Sequence, residues 1–140
     1  MRFLLDTNIC IYIIKQKPPL VLEKFRTLEP SEVGISSITV AELEYGVYKS
    51  QRQEQNRAAL SQFLSPLTIV PFGQTATQTY GQIRAELERQ GIVIGSMDML
   101  IAAQAISLGL TLVTNNVREL SRIPGLVLEN WLENDTTKGG

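Results

Sequence analysis

Histidine is missing from this 140-residue chain, and cysteine occurs once, as Cys10. Without imidazole there is no Ser-His-Asp or Cys-His nucleophile pair, no imidazole acid/base ribonuclease chemistry and no histidine-ligated zinc or iron. A single thiol builds neither a thiolate metal site nor an internal disulfide, the pattern of a reducing compartment. Flanked by Ile9 and Ile11, Cys10 reads as core packing. Any metal would therefore sit among oxygen ligands, which suit Mg²⁺ or Mn²⁺. Long hydrophobic runs are missing too, since none approaches the roughly 20 residues that span a bilayer. The start, Arg2-Phe3-Leu4-Leu5, is interrupted by Asp6, Thr7 and Asn8 before it forms an export signal. The expectation is a cytoplasmic protein with no membrane partner. Nor is there a dominant charge: 13 Lys plus Arg against 14 Asp plus Glu leave a formal charge of −1. Nothing attracts nucleic acid globally, so RNA contacts would rest on local basic patches.

What is present is a chain 44% hydrophobic and 19% charged, long enough to bury one core and too apolar for disorder or a fibre. Residues 1–132 read as one domain and 133–140 as a flexible tail. Arg2–Leu5, Val33–Ser36, Thr68–Phe72, Thr111–Thr114 and Leu126–Leu128 have strand character. Between them lie helical spacings: Ile9–Lys15, stopped by Pro18-Pro19; Leu20–Leu28; a helix after Ser37 or Thr39 carrying Val40, Leu43 and Val47; Arg52–Leu64; Thr75–Gln90; and Met97–Leu108 with Ser96 as cap. Short apolar strands that do not alternate, separated by helices, predict an α/β fold with a mostly parallel central sheet and helices on both faces. Such folds bind ligands beyond the carboxyl ends of their strands.

Three acids fall near such ends. Asp6 follows the first strand, Glu42 lies in the helix after the second, and Asp98 lies in the first turn of the apolar helix. Each has an ordinary reading: Asp6 as a helix cap, Asp98 as a partner of the helix dipole, Glu42 as a solvated charge. Brought together, they require more. At about 4 Å and an effective dielectric of about 20, each pair repels by about 4 kcal/mol, and a divalent cation offsets that repulsion. Such an ion activates water and stabilises phosphate charge without histidine, so phosphoryl chemistry is the natural use. Glu44, about 200° from Glu42 around the helix, points elsewhere, to solvated surface.

The segments Leu4-Leu5-Asp6-Thr7-Asn8, Thr39 to Gly46, Ile94 to Ala103 and Leu112 to Leu120 resemble the VapC toxins, PIN-domain ribonucleases of bacterial toxin–antitoxin pairs. The resemblance runs from Arg2 to about Trp131, and four segments in the same order make it specific. It implies a PIN-like fold and endonucleolytic RNA cleavage, on tRNA or rRNA, by a water bound to Mg²⁺ or Mn²⁺. The family's acidic set maps onto Asp6, Glu42 and Asp98, with these three as metal ligands. Where PIN domains often carry a further Asp, this chain has Asn116; Glu119 is then the fourth catalytic carboxylate and Asn116 a supporting residue or a plain helix cap. Thr114 and Asn8 would orient ligands or water, or merely cap. The resemblance further implies a homodimer inhibited by a VapB-type antitoxin, whose helix would lie against Ile9–Lys15, Leu20–Leu28 and Thr39–Ser50. Tyr12, Tyr45, Tyr48 and Tyr80 could stack bases or serve as core and dimer contacts. Lys15, Lys17, Lys49, Arg84, Arg89, Arg118 and Arg122 are candidate phosphate contacts or ordinary surface charge.

Two other functions compete. A Mg²⁺-dependent phosphatase or phospho-accepting switch also places an Asp after its first strand, but this chain has no second Asp two residues beyond Asp6 and no obvious lysine near its last strand. A non-catalytic RNA-binding protein is the other, suggested by the uncharged Asn116.

Overall fold

The computed structural model describes residues 1–133. The tail expected at 133–140 therefore lies, from Asn134 onward, outside the described residues. Five strands, β1 (Phe3–Leu5), β2 (Val33–Ser36), β3 (Thr68–Val70), β4 (Thr111–Val113) and β5 (Leu128–Glu129), form one parallel sheet in the order β3-β2-β1-β4-β5. Around it pack α1 (Thr7–Lys15), α2 (Pro19–Arg26), α3 (Ser37–Lys49), α4 (Gln53–Leu64), α5 (Gln74–Arg89), α6 (Ser96–Leu108) and α7 (Val117–Leu120).

Period-two alternation in the central strand divides the core. Phe3 and Leu5 of β1 point into one cluster with Ile9, Cys10, Val21, Ile35, Leu43 and Trp131. Leu4 points the other way, joining Leu87, Met99, Ile101 and Leu112. Leu4 and Leu5 are fully buried, each contributing about 2 kcal/mol of apolar transfer. Both sheet faces are covered, which is why these strands lack alternation. On β2, an added Cβ at Gly34 would press on Val70 and displace the flexible end of Met1, so the strand packs closely there.

Several element ends differ from the sequence reading. Helix α1 begins at Thr7 because Asp6 caps it. Helix α3 is capped by Ser36, whose hydroxyl accepts from the Ile38 N–H at 3.0 Å. Ser37 instead accepts from the Phe72 N–H, and Thr39 is buried. Ser96 is the first residue of α6, not its cap; Gly95 holds that position with no side chain to offer. The final strand is Leu128–Glu129, starting two residues later and ending one later than expected. Gly109 ends α6 in the left-handed region, φ 68°, a conformation glycine adopts without a Cβ penalty.

Candidate active site

From β1 the chain crosses to β2 on one side of the sheet, and β4 flanks β1 on the other. The carboxyl end of β1 is thus the point where strand order reverses, the crevice where open α/β sheets take ligands. Asp6 stands there. Its N–H donates to the Val113 carbonyl at 3.0 Å, tying it to β4. Its carboxylate accepts from the Ile9 N–H at 2.9 Å and from the Thr114 hydroxyl. Capping engages Oδ1 and leaves other lone pairs free, so the cap role and the site role coexist. Thr114 is fully buried, and its hydroxyl also accepts from the Asn116 N–H at 3.0 Å.

Glu42 comes from the second turn of α3. The Thr7 hydroxyl donates to Glu42 Oε1 at 2.6 Å, joining the starts of two helices that follow neighbouring strands. Asp98 projects from the first turn of α6. The Asn116 amide donates to Asp98 Oδ2 at 3.0 Å and to Glu119 Oε2 at 3.4 Å. Asn116 begins α7 but makes no side-chain cap bond, so the capping alternative gives way to a bridge between two acids.

Burial pushes the Asp6 carboxyl above its usual range; the Thr114 hydroxyl and Ile9 N–H oppose this, and the charges of Asp98 and Glu42 add to it. Burial is also the main cause at Asp98, eased by the Asn116 amide and increased by Glu119 and Glu42. Every charged group acting on these two aspartates is another carboxylate. Asp6, Glu42, Asp98 and Glu119 therefore share one electrostatic neighbourhood at one sheet edge.

Among the described residues, no three acidic or thiol side chains stand close enough to enclose an ion unaided. Each acid is instead engaged by a neutral donor. The donors are hard oxygens, the interaction among them is repulsive, and a divalent cation is the group that such a set fits. Asp6, Glu42 and Asp98 could hold it.

Thr7 is the residue that sequence reasoning missed, because the acid it holds lies 35 positions away. Tyr12 lies nearby, its hydroxyl accepting from the Asn115 amide at 3.3 Å. Asn8 is exposed on α1, and no side-chain hydrogen bond joins it to the acids among the described residues. Glu44 is ion-paired with Arg57 rather than simply solvated. Arg84 and Arg89 are engaged on α5, by Glu88 and Tyr80 and by Glu86 respectively. Beside Glu42 runs a groove of about 390 Å³ lined by Ile11, Ile14, Leu43, Val47 and Leu60, with Lys15 and Lys49 at its edges. Helix α4 forms one wall, a contribution the sequence reading left out.

The family model of the PIN domain matches residues 3–126. Ribonuclease VapC2 of Rickettsia felis is 48% identical over 132 residues, covering 94% of this chain and 98% of the relative. The tRNA(fMet)-specific endonuclease VapC of Shigella flexneri is 47% identical over 131 residues, covering 94% and 98%. Among solved structures, VapBC2 from Rickettsia felis bound to a DNA fragment from its promoter superposes with a TM-score of 0.87 at 47% identity, covering 94% of this chain and 99% of that one. DNA-bound VapBC from Salmonella typhimurium gives 0.88 at 46% identity, covering 94% and 98%. This chain belongs to the VapC ribonucleases of the PIN-domain family. No helix among the described residues is long and apolar enough to cross a membrane.

Proposed function

We propose that this chain is the toxin of a toxin–antitoxin pair, an endoribonuclease that hydrolyses phosphodiester bonds of structured RNA with a divalent cation, Mg²⁺ or Mn²⁺. The observation that carries the reading is the convergence of Asp6, Glu42 and Asp98, with Glu119 beside them: the charges acting on the two aspartates are those of the other acids, and Asn116 bridges Asp98 and Glu119. When bound, the cation supplies Lewis-acid activation of water and neutralises charge on the phosphate. Asp6, Glu42 and Asp98 would hold it. Thr114 fixes the Asp6 carboxylate, Thr7 fixes Glu42, and Asn116 sets Asp98 and Glu119 relative to each other. With no histidine available, a carboxylate takes the proton of the attacking water, and Glu119, exposed at the rim, is the residue assigned to it.

The tRNA-specific Shigella relative supports tRNA as the substrate class, and a substrate of that class goes with a cytoplasmic enzyme. The VapBC complexes support a VapB-type antitoxin as partner. Its apolar helix fits the groove between α1, α3 and α4, and the toxin acts as a homodimer. Inducing the chain with and without antitoxin tests this. Asp6→Asn should abolish growth arrest and RNA cleavage while antitoxin binding persists; cleavage at the parental rate rejects the site.

A further inference from the structure

Tyr45 and Tyr48 are the two most exposed aromatic side chains among the described residues, each 66% accessible. Both belong to α3, the helix that carries Glu42. Residues three apart are neighbours on a helix surface, so Glu42, Tyr45 and Tyr48 form a continuous ridge, each step advancing about 4.5 Å and turning about 60°. A cation lies over each ring. Lys49 Nζ is 5.0 Å from the Tyr45 centroid, and the Arg57 guanidinium, which also pairs with Glu44, is 5.2 Å from that of Tyr48. Leu43, Gly46 and Val47 of the same helix line the apolar groove, with Glu42 and Lys49 at the border between groove and ridge. The helix thus has one flank suited to an apolar partner and one that alternates rings with cations.

We infer that the Glu42-Tyr45-Tyr48 ridge is the platform on which single-stranded RNA beside the scissile phosphate stacks its bases, with Lys49 and Arg57 taking the adjoining phosphates. The inference rests on the ribonuclease reading above. A polyanion led to an all-carboxylate site needs cations along its path, and Lys49 at the end of α3 and Arg57 on the adjoining α4 supply them along the ridge that begins at Glu42. Rings accept any base through their π faces, which holds a strand without reading its sequence. A protein partner is the weaker fit, because the cores of protein interfaces are depleted in charged residues, whereas here cations sit on the rings themselves.

The test uses the full chain carrying Asp6→Asn, so that RNA is bound but not cut, and a short fluorescent single-stranded RNA read by anisotropy. Tyr45→Ala and Tyr48→Ala should each weaken binding about 5- to 100-fold, the loss of one stacked base. Tyr45→Phe and Tyr48→Phe should restore it, and Lys49→Gln should lower the salt dependence by about one phosphate contact. Unchanged affinity in both alanine variants overturns the inference. So does a shift to smaller species in sedimentation, which would assign the ridge to a second copy of the chain. Failure here is distinguishable from failure of the functional reading: if Asp6→Asn alone still cuts RNA, the site is wrong. If Asp6→Asn stops cleavage and the tyrosine variants bind RNA like their parent, only the ridge is wrong.

Discussion

The side-chain amide of Asn116 donates to the Asp98 carboxylate at 3.0 Å, and the same nitrogen reaches Glu119 at 3.4 Å. A neutral residue thus stands where a further acid would add to the repulsion at Asp98. Asn116→Asp replaces the donor with a charge. In ion-free buffer it should cost about 1.5–3 kcal/mol, the worth of a hydrogen bond to a charged group. Millimolar Mg²⁺ should recover most of that loss. Thermal melts with and without the ion check this: the gain in Tm on adding Mg²⁺ should be larger in the variant than in the parent.

Thr7 acts on Glu42 through one short hydrogen bond of 2.6 Å. Thr7→Val keeps the shape and removes the donor, leaving Glu42 free to turn away. Partners that orient metal-binding carboxylates are worth about 10- to 100-fold in metal affinity or activity. RNA cleavage should fall by that factor while circular dichroism stays unchanged, and Thr7→Ser should recover it. Equal activity in Thr7→Val and the parent would remove Thr7 from the site.

Both site aspartates have carboxyls raised above the ordinary 3.8, so the folded chain holds these protons more tightly than the unfolded chain. Their contribution to stability is full below 3.8 and is lost as pH rises through the raised folded values. Asp6, the more buried, carries most of it; Asp98 is half-buried and screened by solvent. Glu32, lowered mainly by the Arg2 hydrogen bond, and Glu86, lowered mainly by that from Gln90, act in the opposite sense from exposed positions. In ion-free buffer, urea unfolding of Asp6→Asn should show a weaker loss of stability from acid to neutral pH than the parent. Asn keeps the helix cap, whereas Asp6→Ala would lose about 1 kcal/mol of it. Mg²⁺ should reverse the trend in the parent, since a metal ion would bind only the deprotonated acids.

How much of this was legible in the sequence depends on the range of the interactions. β1, β2 and the buried α6 were readable because runs such as Phe3-Leu4-Leu5 and Leu100 to Ala105 carry their burial in composition alone. Asp6, Glu42 and Asp98 were readable because their positions after strands or at helix starts place them at one sheet edge. Ser36 as the cap of α3 was not, since Ser36, Ser37 and Thr39 are chemically equivalent until packing buries Thr39 and pairs Ser37 with Phe72. The Thr7–Glu42 bond joins residues 35 positions apart, and nothing local signals it. The same holds for Asn116, whose capping role lost to an acid 18 positions away.

Trp131 shows the fold reaching past the matched family region. It is buried against Phe3 of the central strand, ring centroids 5.8 Å apart at 69°, with its indole N–H donating to Glu129 at 2.9 Å. Trp131→Ala should cost about 3–5 kcal/mol, and Trp131→Phe considerably less. Chemical denaturation checks both; a loss below 1 kcal/mol in the alanine variant would mean that the segment after β5 is not part of the core.

The most direct test of the acidic site is single-turnover cleavage of a tRNA pool by the parent and by Asp98→Asn, titrated with Mg²⁺ from none to millimolar. The parent should be inactive without the ion and active with it, and Asp98→Asn should stay inactive throughout while binding antitoxin normally. Cleavage by the parent without any divalent cation, or by Asp98→Asn at the parental rate, would contradict the account.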